Sequence, residues 1–255
     1  MQLIILAGGR GTRISEESIV KPKPLVEIGG MPIIWHIMKI YSSFGIKDFV
    51  ICCGYKGYLI KEYFSNFYLH SSDVTINLKD NNIKIHKKTS EDWNVTLIDT
   101  GEDTQTGGRI LRAKEYVDEQ FCLTYGDGLA NVDIKKLISF HSSHKKLATM
   151  TVVQPLGRFG AVEVDSDNNV NNFTEKPKGD GQWVNGGFFV LSKKIFSYLK
   201  NDNTIWEKEP LEELSKRREL KSFKHEEFWC PMDTLRDKEF LENLWQKKIA
   251  PWKIW

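Results

Sequence analysis

The sequence has little of several features that mark particular classes of protein. It contains only four cysteines in 255 residues, and no two of them form a C-x-x-C pair, so neither a zinc site nor a redox pair is indicated. Its apolar runs fall far short of the ~20 residues that cross a bilayer, and residues 3–7 are too short for a signal-peptide core. We therefore expect a cytoplasmic protein without membrane contact, in which Cys52, Cys53 and Cys122 pack as small hydrophobic side chains.

A basic excess is also missing. Lysine and arginine total 36 against 34 for aspartate and glutamate, so the net charge is only +2. Nucleic-acid-binding domains usually carry a much stronger basic excess, and we therefore expect no nucleic-acid partner. The chain shows no internal repeat, low-complexity stretch or linker, and its length suffices for one sizeable core. We predict a single domain over residues 1–255.

The order of hydrophobic patterns predicts an α/β fold. Strand patterns at 2–6, 48–54, 94–101, 119–128 and 147–155 alternate with helix patterns at 31–45, 56–67, 107–117 and 133–146. Strands joined by helices pair in parallel through right-handed crossovers. The later pattern is mixed, with a hairpin at 160–177, a strand at 186–192 and helices at 209–218 and 234–248. We predict a mostly parallel, Rossmann-like, doubly wound sheet with helices on both faces and a mixed C-terminal elaboration.

The first predicted strand runs into the glycine loop "LAGGRGTR" at 6–13. Ligands of open α/β sheets bind beyond the carboxyl ends of the strands, where backbone N–H groups of a glycine loop favour anions. Arg13 adds a guanidinium matched to phosphate oxygens. The loop suits a polyphosphate, but Ile14 stands where the dinucleotide fingerprint needs glycine, and no P-loop follows. A tight turn with incidental charge is the alternative.

The segment "KPKP" at 21–24 places two lysines between prolines. Prolines hold the chain extended, so Lys23 is a point charge on a stiff segment. Lys21 is equally compatible with a solvated loop.

Taken together, these motifs resemble the sugar-nucleotide pyrophosphorylases, nucleotidyltransferases that join an NTP to a sugar 1-phosphate. The resemblance rests on "LAGGRGTR", "KPLVEI" at 23–28, "YGDG" at 125–128, "EKP" at 175–177, "NGG" at 185–187 and "PMDT" at 231–234. It spans essentially the whole chain, and it implies a nucleotide-binding part at about 1–130 and a sugar- and metal-binding part at about 131–255. Ile14 and Ser15 depart from the thymidylyl pattern and favour the cytidylyl branch of the family.

The resemblance implies a nucleotide site and its catalytic residues. Arg13 would hold the departing pyrophosphate, Lys23 would lie between the α-phosphate and the sugar phosphate, and Asp127 would complete the catalytic set. Arg109 and Thr104 would reach the base or the triphosphate. The full implied nucleotide site comprises Leu6, Ala7, Gly8, Gly9, Arg10, Gly11, Thr12, Arg13, Lys23, Thr104, Arg109 and Asp127. From the residues alone, Asp127 between two glycines also fits a simple turn.

The resemblance further implies sites for the sugar phosphate and for Mg²⁺. Glu175, Lys176 and Asn185 would bind the sugar phosphate, while Asp127 and Asp233 would hold Mg²⁺, the implied cofactor, together with phosphate oxygens and water. The residues alone leave alternatives open. Asp233 fits the N-cap of the following helix, Glu175 and Lys176 fit an exposed ion pair, and Asn185 fits a turn.

The implied reaction joins CTP and glucose 1-phosphate into CDP-glucose, which feeds deoxysugar synthesis for bacterial surface polysaccharide such as O-antigen. The resemblance also implies a homo-oligomer. Three rival functions are open at this stage. UTP or dTTP could replace CTP, the chain could be a catalytically silent sugar-nucleotide sensor, or it could be a nicotinamide dehydrogenase, which Ile14 and the lack of a fitting ribose-binding acid disfavour.

Overall fold

The computed structural model describes residues 1–11, 20–87, 91–155, 160–175 and 182–255. The strands in these ranges are β1 (Gln2–Ala7), β2 (Glu27–Ile28), β3 (Met31–Pro32), β4 (Asp48–Cys53), β5 (Asp73–Asn77), β6 (Asn82–Lys87), β7 (Asn94–Asp99), β8 (Gln120–Tyr125), β9 (Gly128–Ala130), β10 (Ala148–Val153), β11 (Ala161–Val164), β12 (Val170–Thr174), β13 (Val184–Ser192), β14 (Leu220–His225) and β15 (Trp229–Pro231). The α-helices are α1 (Ile33–Ser43), α2 (Gly57–Ser65), α3 (Phe67–His70), α4 (Thr106–Arg112), α5 (Ile134–His144), α6 (Glu209–Lys216) and α7 (Leu235–Gln246).

A central sheet with the strand order β14-β10-β13-β8-β1-β4-β7 organises the described part of the chain. β1 pairs in parallel with β4 and β8, and β4 pairs in parallel with β7. β13 is antiparallel to both of its neighbours, and β14 adds a parallel edge strand beside β10. The predicted fold class, a mostly parallel sheet with a mixed C-terminal part, is confirmed. The two parts assigned to residues 1–130 and 131–255 stay a prediction.

The chain reverses its direction of winding beside β1. It passes outward from β1 to β4 and β7, and then returns to the other side of β1 as β8. In open α/β sheets such a switch point opens a crevice at the carboxyl ends of the strands. The glycine loop leaves β1 at this point, and the segment that carries Asp127 leaves β8 there. The topology therefore brings together two of the motifs identified in the sequence.

Alternation along β1 divides its side chains between two cores. Leu3, Ile5 and Ala7 pack on one face of the sheet with α1, α2, α5 and α7, whereas Ile4 and Leu6 pack on the other face with α4 and α6. Side chains of a strand alternate between faces, so a run of five apolar residues fits a strand covered on both sides. The predicted helices on both faces are confirmed.

Four two-stranded sheets lie outside the central sheet in the described part of the chain, and the two with the longest strands are hairpins. β11 and β12 pair as an antiparallel hairpin around a polar turn at 165–169, within the hairpin that the sequence predicted at 160–177. β5 and β6 form a second antiparallel hairpin that the sequence analysis did not foresee. The edge strand β14 was also missed, because its residues alternate without a sustained apolar run.

An aromatic cluster holds the end of the chain against α1. Trp252 is fully buried; its indole N–H donates to Nδ1 of His36 at 3.4 Å, and its ring stacks on Phe228. The opposite ring nitrogen of His36 is 2.8 Å from the carbonyl oxygen of Ile28. His36 is thus a packing residue of the helix, and Trp252 is buried within its own chain.

Acidification is expected to destabilise the fold through two buried histidines. Burial lowers the pKa of His36 and of His141 from 6.5 to about 4. Between these values the folded chain binds fewer protons than the unfolded chain. Stability is therefore complete above pH 6.5 and falls as the pH drops toward 4, by about 1.4 kcal/mol per pH unit for each histidine. Urea unfolding at stepwise pH measures this slope.

Single substitutions separate the histidines from the carboxylates that also titrate in acid. His36→Gln and His141→Gln should each make the slope between pH 6.5 and 4 shallower. His70→Gln, at the exposed end of α3, should leave it unchanged. Equal slopes in the parent and in both buried-site variants would contradict the prediction.

Candidate functional site

A cleft of about 370 Å³ opens at the switch point of the sheet. Its walls come from the glycine loop after β1, the lysine segment, the start of α4, the end of β8 and the segment before α7. The lining residues are Leu6, Ala7, Gly8, Gly9, Gly11, Lys23, Pro24, Thr104, Gln105, Thr106, Arg109, Tyr125, Gly126, Asp127 and Asp233. Most residues of the predicted nucleotide site that the structure describes therefore lie around one cleft.

The glycine loop lies directly against the side chain of Arg109. A Cβ atom at Gly8 would come within 2.2 Å of Nη1 of Arg109, and a Cβ at Gly54 would come within 2.3 Å of the same atom. Real Cβ atoms do not approach so closely, so any other residue at either position would displace this guanidinium from its hydrogen bonds. The backbone of the loop and the arginine are therefore packed as one unit.

The guanidinium of Arg109 donates hydrogen bonds to four acceptors of the protein. Nη1 donates to Thr100 Oγ1 and to the Gly101 carbonyl at 2.7 Å each, and to the Cys53 carbonyl at 3.3 Å. Nη2 donates to the Glu102 carbonyl at 3.0 Å. Burial lowers the pKa of this arginine, which is only 4% exposed. Arg109 lines the cleft and also ties the loop after β7 to the end of β4.

Lys23 is buried in a short 3-10 helix, Lys23–Leu25, and directs its ammonium between two carboxylates. Nζ donates to Asp127 Oδ2 at 2.7 Å and to Asp233 Oδ1 at 2.8 Å. Burial alone would lower the pKa of Lys23, but the two carboxylates outweigh it and raise that pKa. Lys21 instead pairs with Glu27 at 2.8 Å, outside the residues that line the cleft.

Asp233 is not the cap of α7. The N-cap is Thr234, whose hydroxyl accepts from the backbone N–H of Asp237, while the Asp237 carboxylate accepts from the N–H of Thr234 at 2.8 Å. This is a reciprocal capping box. It fixes the start of the helix and leaves the Asp233 carboxylate directed at Lys23, so of the two alternatives left open for Asp233 the structure does not support the cap.

Asp233→Asn should separate a role in the cleft from a role in the helix. We expect kcat/KM to fall by about 10²-fold, because asparagine lacks the negative charge that holds the Lys23 ammonium at the cleft, with little change in melting temperature. Thr234→Ala is the matched control. It should cost about 1 kcal/mol, or roughly 2–4 °C, while activity stays within about twofold. Steady-state kinetics and thermal unfolding of both variants decide, and the reverse pattern would contradict the assignment.

Other predicted residues lie away from the cleft lining or outside the described residues. Arg10 is exposed and pairs with Glu102 at 3.3 Å and with Asp103 at 2.9 Å. Glu175 follows β12 at the end of the β11–β12 hairpin and is not among the described residues that line the cleft. Thr12, Arg13 and Lys176 fall outside the residues that the structure describes.

Asn185 reaches the cleft through a neighbour. Its amide Nδ2 donates to the hydroxyl of Tyr125 at 3.2 Å, and its Oδ1 accepts from the N–H of Gly187 at 2.9 Å. Asn185 lies within β13 and not in the turn predicted as the alternative, and its amide contacts a cleft-lining side chain.

Two cleft residues and their shared partner were not identified from the sequence. Thr106 and Tyr125 line the cleft, and both donate to the carboxylate of Glu207 at 2.6 Å. Each hydroxyl lies within two or three residues of an identified motif residue, Arg109 or Asp127, and that proximity was the available signal. Glu207 gives no local signal, because only the fold brings it to the cleft.

The cysteines behave as predicted. Cys52, Cys53 and Cys122 are buried and free, and burial raises the pKa of Cys52 to about 12. Across the described ranges, no group of three or more histidine, cysteine, aspartate and glutamate side chains is arranged to hold a metal ion. In the same ranges, no helix combines the length and the apolar character that a membrane span requires.

A glycine loop at the switch point of a doubly wound sheet, beside a lysine held between two aspartates, is an arrangement suited to binding phosphate groups. The chain belongs to the nucleotidyl transferase family, whose family model matches residues 2–230. It is 59% identical to the glucose-1-phosphate cytidylyltransferase of Salmonella typhi in an alignment covering all of both chains. It is 44% identical to a probable glucose-1-phosphate cytidylyltransferase of Bacillus subtilis, again over both full lengths. The resemblance drawn from the motifs is confirmed.

Solved structures share the architecture. The crystal structure of HddC from Yersinia pseudotuberculosis matches with a TM-score of 0.69 at 26% identity, covering 96% of this chain and 99% of that one. A second structure of HddC is a complex with GMP-PN. A UDP-glucose pyrophosphorylase complexed with UDP-glucose matches with a TM-score of 0.68 at 16% identity, which supports the fold alone.

Proposed function

We propose that this protein transfers the cytidylyl group of CTP to glucose 1-phosphate and releases pyrophosphate. An oxygen of the sugar phosphate attacks the α-phosphorus of CTP. The bond from that phosphorus to the bridging oxygen of the β-phosphate breaks, and pyrophosphate leaves with the electron pair. The full-length identity to two glucose-1-phosphate cytidylyltransferases supports the choice of substrates.

The observation that carries the chemistry is the position of Lys23. Two anions must meet in this reaction, so a site must supply positive charge and alignment. Lys23 is buried at the cleft, is held by two carboxylates and stands on a proline-stiffened segment. A cation fixed in this way is preorganised to stabilise charge that develops between the two phosphates.

The carboxylates of Asp127 and Asp233 fit a divalent cation. Both contact the same ammonium at hydrogen-bond distance, so their oxygens converge on one position at the cleft, and each side chain is about one third exposed. Two carboxylates completed by substrate phosphate oxygens and water form a common Mg²⁺ arrangement. We propose that these two residues hold Mg²⁺, which when bound would add positive charge beside the phosphates.

The remaining roles follow from position around the cleft. Backbone N–H groups of the glycine loop at Gly8, Gly9 and Gly11 would contact the triphosphate, and Thr104 and Arg109 line the wall where the nucleotide would lie. We propose that Arg13 and Lys176 contribute charge to the departing pyrophosphate and to the sugar phosphate. No side chain is needed as a general base, because a phosphate monoester with a second pKa of about 6 is already a dianion at neutral pH.

Incubation of the protein with glucose 1-phosphate, Mg²⁺ and each NTP in turn tests the proposal. We expect CTP to be consumed fastest, with CDP-glucose and pyrophosphate formed in equal amounts. Faster turnover of UTP or dTTP would overturn the base assignment, and absence of turnover with every NTP would favour the catalytically silent alternative. Delivery of the product to surface polysaccharide synthesis and assembly into a homo-oligomer stay predictions from the resemblance.

A further inference from the structure

Glu207 is an exposed residue that receives two short hydrogen bonds from side chains of the cleft wall. Tyr125 donates its phenolic O–H to Oε1 at 2.6 Å, and Thr106 donates its hydroxyl to Oε2 at 2.6 Å. Both donors line the cleft, whereas Glu207 is not among the described residues that line it. Glu207 therefore connects the start of α4 with the end of β8 across the wall.

The hydrogen atoms in this network can be assigned. A carboxylate only accepts hydrogen bonds, so the single hydroxyl hydrogens of Tyr125 and Thr106 are both directed at Glu207. The Tyr125 oxygen also accepts from Nδ2 of Asn185 at 3.2 Å, and the Thr106 oxygen accepts from the backbone N–H of Trp206 at 2.9 Å. Each hydroxyl oxygen therefore has acceptor capacity left and no hydrogen to donate.

The ring of Tyr125 is fixed by its packing. A Cβ at Gly187 would come within 2.6 Å of Cδ2 of Tyr125, so the ring lies against bare backbone where Gly187 has φ of 82°. Phe189 contacts the ring edge-on with centroids 6.2 Å apart. The amide of Asn185 is oriented in turn, because its Oδ1 accepts from the Gly187 N–H at 2.9 Å. The acceptor on Tyr125 thus has a defined place.

We propose that Glu207 is a specificity-determining positioning residue, which takes up the hydroxyl hydrogens of Tyr125 and Thr106 so that this wall accepts hydrogen bonds from the substrate and does not donate them. Tyr125 is hydrogen-bonded to Asn185, the residue predicted to bind the sugar. We therefore assign the phenolic oxygen of Tyr125 as the acceptor for a hydroxyl group of the hexose 1-phosphate. The site selects a sugar that presents an O–H at that ring position. This assignment rests on the proposed function.

Deoxyfluoro analogues of glucose 1-phosphate test the assignment, because fluorine accepts weakly and cannot donate. In the parent, replacement of one hydroxyl among positions 2, 3, 4 and 6 should lower kcat/KM by about 10- to 100-fold through loss of its hydrogen bond to Tyr125. In Glu207→Gln the side-chain amide can donate to Tyr125 and release its O–H toward the cleft. The penalty at that one position should shrink about tenfold, with the other penalties and the KM for CTP unchanged.

Two further variants complete the experiment. Tyr125→Phe removes the acceptor, so its penalty at the same position should disappear. Glu209→Gln is the matched control, since Glu209 lies two residues from Glu207 and pairs with Lys200 at 2.5 Å on the surface. The Glu209→Gln variant should show the same kcat/KM penalty as the parent at each of the four sugar positions.

The outcomes separate this inference from the proposed function. One outcome is that the parent turns over CTP and glucose 1-phosphate while Glu207→Gln and Tyr125→Phe both keep the parent's penalty at every position of the sugar. In that case Glu207 is a structural brace and the assignment is refuted. The assignment is also refuted if Glu207→Gln changes the kcat/KM penalty for deoxyfluoro analogues of the CTP ribose instead of the hexose. A parent that turns over neither substrate refutes the proposed function and, with it, this inference.

Discussion

Replacing Lys23 with methionine is expected to lower kcat/KM by about 10²-fold or more, the effect of losing one preorganised stabiliser of developing charge. Methionine keeps much of the buried volume, so the loss reports the charge. The variant also leaves Asp127 and Asp233 facing each other without the ammonium that each contacts. Steady-state kinetics with both substrates varied would measure the effect, and thermal unfolding would show how much stability is lost.

Lys21→Met is the matched control, two residues earlier on the same proline-bearing segment. Lys21 pairs with Glu27 and is not among the described residues that line the cleft. The activity of the Lys21→Met variant should therefore stay within about threefold of the parent. Similar losses from both lysines would mean that the segment acts through its general charge, and the role assigned to Lys23 would be wrong.

Arg109→Lys is expected to reduce stability and activity together. An ammonium cannot serve the four acceptors that the guanidinium contacts. Leaving buried carbonyl groups unpaired should cost about 3 kcal/mol, which corresponds to a drop in melting temperature of roughly 6–12 °C. Because Gly8 rests on this side chain, the glycine loop should shift and kcat/KM should fall at least ~10-fold.

Arg112→Lys provides the comparison on the same helix. Arg112 pairs with Asp202 at the surface, and exposed ion pairs contribute little to stability. Its melting temperature should change by no more than about 2 °C. If Arg109→Lys kept the parent's melting temperature and lost only affinity for CTP, Arg109 would act on the nucleotide directly and not through the loop.

The order of strands and helices could be predicted from the sequence because each element has its own local hydrophobic pattern. The apolar run of β1 and the periodic pattern of α1 predict elements that the structure confirms. The glycine loop and Asp127 could be placed at one crevice because both follow parallel strands. Pairing of β14 at the sheet edge was not predictable, since an edge strand with one exposed face lacks a continuous apolar run.

The site was only partly predictable, because several of its contacts join distant segments. Asp233 and Thr234 both fit a helix cap in sequence, and only the side-chain geometry distinguishes them. Arg109 was identified from its motif, but its four protein acceptors could not be inferred from spacing. Glu207 stands 82 positions from Tyr125 and 101 from Thr106, and no pattern links them until the chain has folded.

The contacts between the two ends of the chain have a consequence for synthesis. Lys23 meets Asp233 across 210 positions, Gly29 bonds to Glu242 across 213, and His36 contacts Trp252 across 216. Closing such long loops is slow compared with forming local structure. A nascent chain therefore cannot complete the cleft until Asp233 has left the ribosome. A chain that stopped before Asp233 would contain every strand of the central sheet but would lack one carboxylate of the cleft and the buried Trp252.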